Sequence, residues 1–106
     1  MARALIRIPP LVRAGEVFEV RVLVQHPMET GYRPGADGRV QPRDIVTRVE
    51  AKLDGRAVFS ADLFPAIAAN PYLAFPLRVA ASGTLTLNFR GDGGFTLVEH
   101  AAITVA

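Results

Sequence analysis

The stretch HPMETG, residues 26–31, sets a histidine, a thioether and a carboxylate close together at His26, Met28 and Glu29. Imidazole and carboxylate are the groups that most often bind transition metals or move protons near neutral pH. A transition-metal site needs several such ligands converging at about 2.0–2.3 Å. The chain has 2 histidines and no cysteine, and His100 belongs to a different run. His26 and Glu29 would meet one turn apart on a helix, but Pro27 lies between them and an extended run precedes them. The residues fit a histidine at a strand end, bonded to backbone, with Met28 packing beside it.

Other chemistry is equally thin. Ser60 and Ser82 lack the Gly-x-Ser-x-Gly elbow of an activated hydroxyl. Asp37, Asp54 and Asp92 each precede a glycine, where turn formation accounts for them without acid–base work. GDGG at 91–94 has the look of a phosphate loop, yet it joins two extended runs and no helix N-terminus follows to hold an anion. The expectation is a chain that is not an enzyme and that uses no cofactor and no metal.

Two runs of period two flank the HPMETG stretch. In VFEVRVLVQ, Phe18, Val20, Val22 and Val24 share one face and Glu19, Arg21 and Gln25 the other, the pattern of a strand with one buried side. In IVTRVEAKL, Ile45, Thr47, Val49, Ala51 and Leu53 are expected inside, with Arg48, Glu50 and Lys52 outside. Asp54-Gly55 is a type I′ hairpin signal, after which Ala57, Phe59, Ala61 and Leu63 should face inward. Leu73, Phe75, Leu77 and Val79 share a face of the next run, and Pro76 within it calls for a sheet edge or a bulge. Leu85, Leu87 and Phe89, then Phe95, Leu97, Ala101, Ile103 and Val105, complete the inward set. A short opening strand, ALIRI, is stopped by Pro9-Pro10.

About seven strands, few helical signals and frequent turns predict an all-β, immunoglobulin-like antiparallel β-sandwich spanning 1–106 as one domain, with a small barrel as the alternative. A chain of 106 residues can bury about 65% of its unfolded surface, enough for one core without staples. The net charge is +2, with arginines scattered among acidic residues instead of forming a stripe with aromatics, so nucleic acid is not an expected partner. The longest uncharged run, LFPAIAANPYLAFPL, would reach only about 22 Å as a helix and cannot span a bilayer. The opening residues, broken by Arg7, Pro9 and Pro10, do not make the apolar stretch of a signal peptide.

Two connections hold more than a link requires. Residues 26–44 exceed the usual length of about 12–15 residues beyond which loops tend to be functional; PGADG within it, between Arg33 and Arg39, should fold back as a small flap. FPAIAANP could form a single helical turn between Pro65 and Pro71. Phe64, Ile67, Tyr72 and Phe75 either cap the core there or form a docking surface.

HPMETGYR, QPRDIV and FSADLFPAIAANPYLAF, in this order and spacing in a short cysteine-free sandwich, closely resemble the SoxZ family, from the RAGE turn at 13–16 to the last strand. That resemblance implies a non-catalytic subunit that pairs with SoxY, the protein whose C-terminal cysteine carries sulfur intermediates during thiosulfate oxidation. It further implies a SoxYZ heterodimer, transient contacts with other Sox enzymes, self-association when SoxY is absent, and a periplasmic location reached as a passenger on SoxY. The absence of cysteine agrees, since covalent sulfur carriage needs a thiolate. On this resemblance the partner-binding residues are His26, Pro27, Met28, Glu29, Thr30, Arg33, Arg43, Asp44, Phe64, Asn70, Pro71 and Tyr72, with the arginines able to attract an anionic adduct. Phe64 departs from the polar residue expected of the family. The alternatives are a free-standing module for a protein or carbohydrate ligand, which the lack of Trp disfavours, and an iron-site sandwich.

Overall fold

The computed structural model describes all residues except 1, 2, 27, 33, 35, 41 and 65–69. Pro27, Arg33, Ile67 and the helical turn expected after Pro65 therefore lie outside the described residues. Seven strands are described: β1 (Arg3–Arg7), β2 (Val17–Gln25), β3 (Val46–Leu53), β4 (Arg56–Asp62), β5 (Tyr72–Arg78), β6 (Gly83–Gly91) and β7 (Thr96–Ile103). They form two sheets, β1-β2-β5 and β4-β3-β6-β7, with every neighbour antiparallel. The two separate sheets make a sandwich and not a barrel.

The core lies between the sheets. Val20, Val22 and Val24 of β2 and Leu85, Leu87 and Phe89 of β6 are fully buried, as period two requires. Each such side chain taken out of water contributes about 1.5–3 kcal/mol. Phe59 of β4 stacks on Phe75 of β5 across the sandwich, with centroids 4.2 Å apart and planes at 3°. Asp54 and Gly55 both have positive φ, 48° and 85°, as the β3–β4 hairpin turn demands. Pro76 is on the sheet-edge strand β5, opposite Glu19 of β2. An edge accommodates a residue with no N–H to give, its nitrogen turned away from the neighbouring strand.

Two inward assignments are corrected by bulges. Between Val46 and Arg48 the β3–β6 register slips, leaving Thr47 without a partner on β6. One extra residue reverses which side chains face in, so Val46 is fully buried while the Thr47 hydroxyl donates to the Arg90 carbonyl at 3.2 Å. A second slip between Ala51 and Lys52 makes Val58 the extra residue of β4, and Ala57 is exposed.

Candidate functional site

At the end of β2 the chain turns into 26–44 and is at once fastened to the segment leading into β5. The His26 N–H donates to Asn70 Oδ1 at 2.9 Å, and the Asn70 N–H donates to the His26 carbonyl at 2.7 Å. Asn70 reaches this position with φ of 53°, a left-handed conformation that asparagine tolerates better than most residues. Val24 N–H to the Pro71 carbonyl, 2.9 Å, extends the same ladder.

The imidazole of His26 is turned inward and is 6% exposed. Its Nδ1 accepts the Met28 N–H at 3.0 Å, which assigns the ring proton to Nε2. The ring meets Phe95 edge-on at 5.1 Å, and Nε2 lies 3.8 Å from Asp44 Oδ1, beyond hydrogen-bond reach. Met28 is also buried, and it takes φ of 51°. A bulky residue held left-handed stores strain, of order 1–2 kcal/mol. Its sulfur accepts the Val46 N–H at 3.2 Å, so the thioether plugs the gap where the loop rejoins the core.

Further out, Glu29 and Asp44 exchange backbone hydrogen bonds, both 2.8 Å, and pinch the loop closed. Beyond the pinch, Pro34 and Val40 bridge antiparallel and the Arg39 N–H donates to Asp37 Oδ1 at 3.0 Å, which is the small flap expected around PGADG. Arg43 leaves the loop to grip Asp92 with two bonds of 2.8 Å. Asp92 Oδ2 also accepts the Ile45 N–H at 3.2 Å, and the Asp92 N–H donates to the Ile45 carbonyl at 3.0 Å. GDGG is therefore the anchor post of the loop, a role that the sequence reading missed. Nothing local signals a partner 49 residues away.

The Arg43 guanidinium, through its hydrogen bonds and charge, holds the Asp92 carboxyl below its ordinary value, and Asp92 in turn raises Arg43. A carboxyl depressed in the folded state adds stability that is complete above the usual carboxylate range and is lost as pH falls through its folded value. Asp92→Asn should therefore lower the thermal midpoint at pH 7, with the gap to the unaltered protein closing as pH drops below about 4. Melting curves between pH 7 and pH 3 read this directly, and a gap that stays constant would count against it.

The described candidate residues differ in burial. His26, Met28 and Pro71 have buried side chains, while Arg43, Asp44, Phe64, Asn70 and Tyr72 are exposed; Glu29 and Thr30 lie between. The loop residues and Asn70 come together as one clasp. Tyr72, 58% exposed, points onto the outer face of β5. Among the described residues, no group of three or more His, Cys, Asp or Glu could hold a metal ion. His100 is at a distance in the fold, on the outside of β7, with Nδ1 3.0 Å from Thr86 Oγ1.

Two antiparallel sheets, of three and four strands, packed face to face define the immunoglobulin-like class of β-sandwich. Residues 6–102 match the family described as Sulphur oxidation protein SoxZ, and the chain belongs to that family. No curated protein matches the sequence at a significant level. Among solved structures, the superoxide reductase (neelaredoxin) from Ignicoccus hospitalis is similar over 97% of this chain and 80% of that one, with a TM-score of 0.74 and 22% identity. The sulfur carrier protein SoxY from Chlorobium limicola f thiosulfatophilum is similar over 98% of this chain and 74% of that one, with a TM-score of 0.66 and 16% identity. At such identities both similarities show the shared fold alone.

Proposed function

We propose that this chain is the non-catalytic subunit of a SoxYZ sulfur-carrier complex. It binds SoxY, which holds sulfur intermediates on its C-terminal cysteine during thiosulfate oxidation, and helps to present them to the Sox enzymes that visit in turn. The observation that carries this reading is the family match across residues 6–102 in a chain without cysteine. Covalent sulfur carriage needs a thiolate, so the cargo must ride on the partner. The location is periplasmic, reached as a passenger on SoxY.

Within this reading the clasp is the frame of a recognition surface. Thr30, Asp44, Phe64, Asn70 and Tyr72 have side chains that a partner can reach, whereas His26, Met28 and Pro71 hold the loop from inside. Glu29 contributes its backbone to the pinch. Arg43 is engaged with Asp92, so its part is to fix the loop's end. Pro27 and Arg33, which lie outside the described residues, are proposed partner-binding residues on the family resemblance alone.

Pull-down of the tagged chain from its own host, followed by intact-mass measurement, tests the function. The expected result is a companion with one C-terminal cysteine bearing mass additions that a reductant removes. A chain that comes down alone and unmodified would overturn the carrier reading in favour of a free-standing binding module.

A further inference from the structure

The two outer faces of the sandwich differ in kind. On the four-stranded sheet the outward groups are mostly polar and several are matched: Arg48 bonds Glu50 and Asp62, each at 2.8 Å, and Thr86 faces His100, with Val98 an exposed apolar exception. On the three-stranded sheet the register places Leu5, Leu23 and Tyr72 side by side across β1, β2 and β5. Leu5 is 38% and Tyr72 58% exposed. A shallow depression of about 280 Å³ lies along this row, bordered also by Arg7 and Arg21.

Charge on this face is one-sided. Arg3, Arg7, Arg21 and Arg78 are exposed on it, against a single carboxylate, Glu19. Glu19 is taken by Arg21 at 2.7 Å. Arg7 stands directly opposite Arg21 in the register, a like-charge pairing that costs stability in a free sheet. Among the described residues, Arg7 and Arg78 have no ion pair or side-chain hydrogen bond. Exposed aromatic and arginine side chains around an apolar centre are the composition of interface anchors.

We infer that the outer face of the β1-β2-β5 sheet is the docking surface for the partner subunit, and that the partner meets it with an apolar strip flanked by carboxylates. This rests on the carrier-complex reading given above. Charge decides the occupant. A second copy stacked through the same face would set arginines against arginines, whereas an acidic partner face would satisfy them. The face is continuous with the clasp, because Tyr72 follows Asn70 and Pro71 directly. Binding here would therefore sense the position of the 26–44 loop.

Titration of the purified chain with purified SoxY from the same genome, at low and high salt, tests the inference. The variants are Tyr72→Ala and Arg7→Glu on this face and Val98→Ala on the outside of β7, a control position that is 49% exposed. All three positions are exposed, so none of the variants should melt much below the unaltered chain, and Arg7→Glu, which relieves the pairing with Arg21, should melt slightly above it. Tyr72→Ala is expected to weaken the complex by about 10- to 30-fold, as loss of an aromatic anchor does. Arg7→Glu should slow association, and salt should weaken the unaltered complex. Any self-association of the chain alone should instead strengthen with salt, which screens the arginines. Val98→Ala should change nothing. If Tyr72→Ala and Arg7→Glu bind as well as the unaltered chain, or Val98→Ala is the variant that loses binding, the interface lies elsewhere while the carrier role stands. If the unaltered chain forms no complex with SoxY, both the inference and the proposed function fail.

Discussion

Met28→Ala is expected to lower the stability of the domain by about 2–5 kcal/mol, the usual cost of truncating a buried methionine. Domains of this kind are stable by about 5–15 kcal/mol in total, so the urea midpoint should move far. Two separate losses contribute. A cavity opens where the side chain, 4% exposed, fills the junction of loop and core, and the Val46 N–H loses its sulfur acceptor. Met28→Leu separates them. It keeps the volume, which alone costs less than about 1.5 kcal/mol, but it leaves the N–H without its acceptor. Its midpoint should fall between those of the unaltered protein and Met28→Ala. Met28→Gly adds a third comparison, because glycine adopts the positive φ of 51° without a Cβ penalty. It should be about 1–2 kcal/mol more stable than Met28→Ala. A loss below about 1 kcal/mol for Met28→Ala would show that the thioether is not part of the core.

Gly91→Ala should be comparably damaging for a different reason. Gly91 is extended, so its conformation suits any residue. What excludes a side chain is room: a Cβ would sit 2.4 Å from the Ile45 carbonyl oxygen and 3.2 Å from the Phe95 ring. The first obstacle is backbone and cannot rotate away. Forcing it aside should cost about 3 kcal/mol or more, or roughly 10 °C or more in thermal midpoint for a domain near 100 residues. The damage should also be specific. Ile45 is the residue that exchanges hydrogen bonds with Asp92, so moving it loosens the grip on Arg43. Gly91→Ala should therefore flatten the acid dependence in the way Asp92→Asn does. The double variant should lose less than the sum of the two, as coupled neighbours do. Strict additivity would mean that the two positions act independently.

The parts of the fold that could be read ahead of the structure are those decided within one strand. In β2, β5 and β6 the alternation of side chains states which face is buried, and Val20 to Val24, Phe75 to Leu77 and Leu85 to Phe89 lie where it puts them. Thr47 and Ala57 escaped because a bulge is a property of two strands. The extra residue is visible only against its neighbour's register. The clasp divides the same way. His26 bonded to backbone with Met28 packing nearby follows from the residue types, and the long loop marked the region. Asp92 did not follow, because its turn chemistry is a sufficient local account of it, and its bonds to Arg43 and Ile45 exist only after β3 and β6 pair and bring the start of one beside the end of the other. The apolar row of Leu5, Leu23 and Tyr72 is invisible for a similar reason. Each is a single outward side chain on its own strand, and only register assembles them.

Pro76 acquires a further meaning beside that uncovered sheet. A strand with a free edge can template the addition of another, and repeated addition is the route to a cross-β fibre. On β5 the pyrrolidine ring leaves a gap in the row of donors that an incoming strand would need, and Arg78 follows two residues later. On the other side of the sheet, β1 is only 5 residues long and runs into Pro9-Pro10. The sheet can thus be covered face-on but not lengthened sideways. That geometry guards this sheet against polymerising edge to edge.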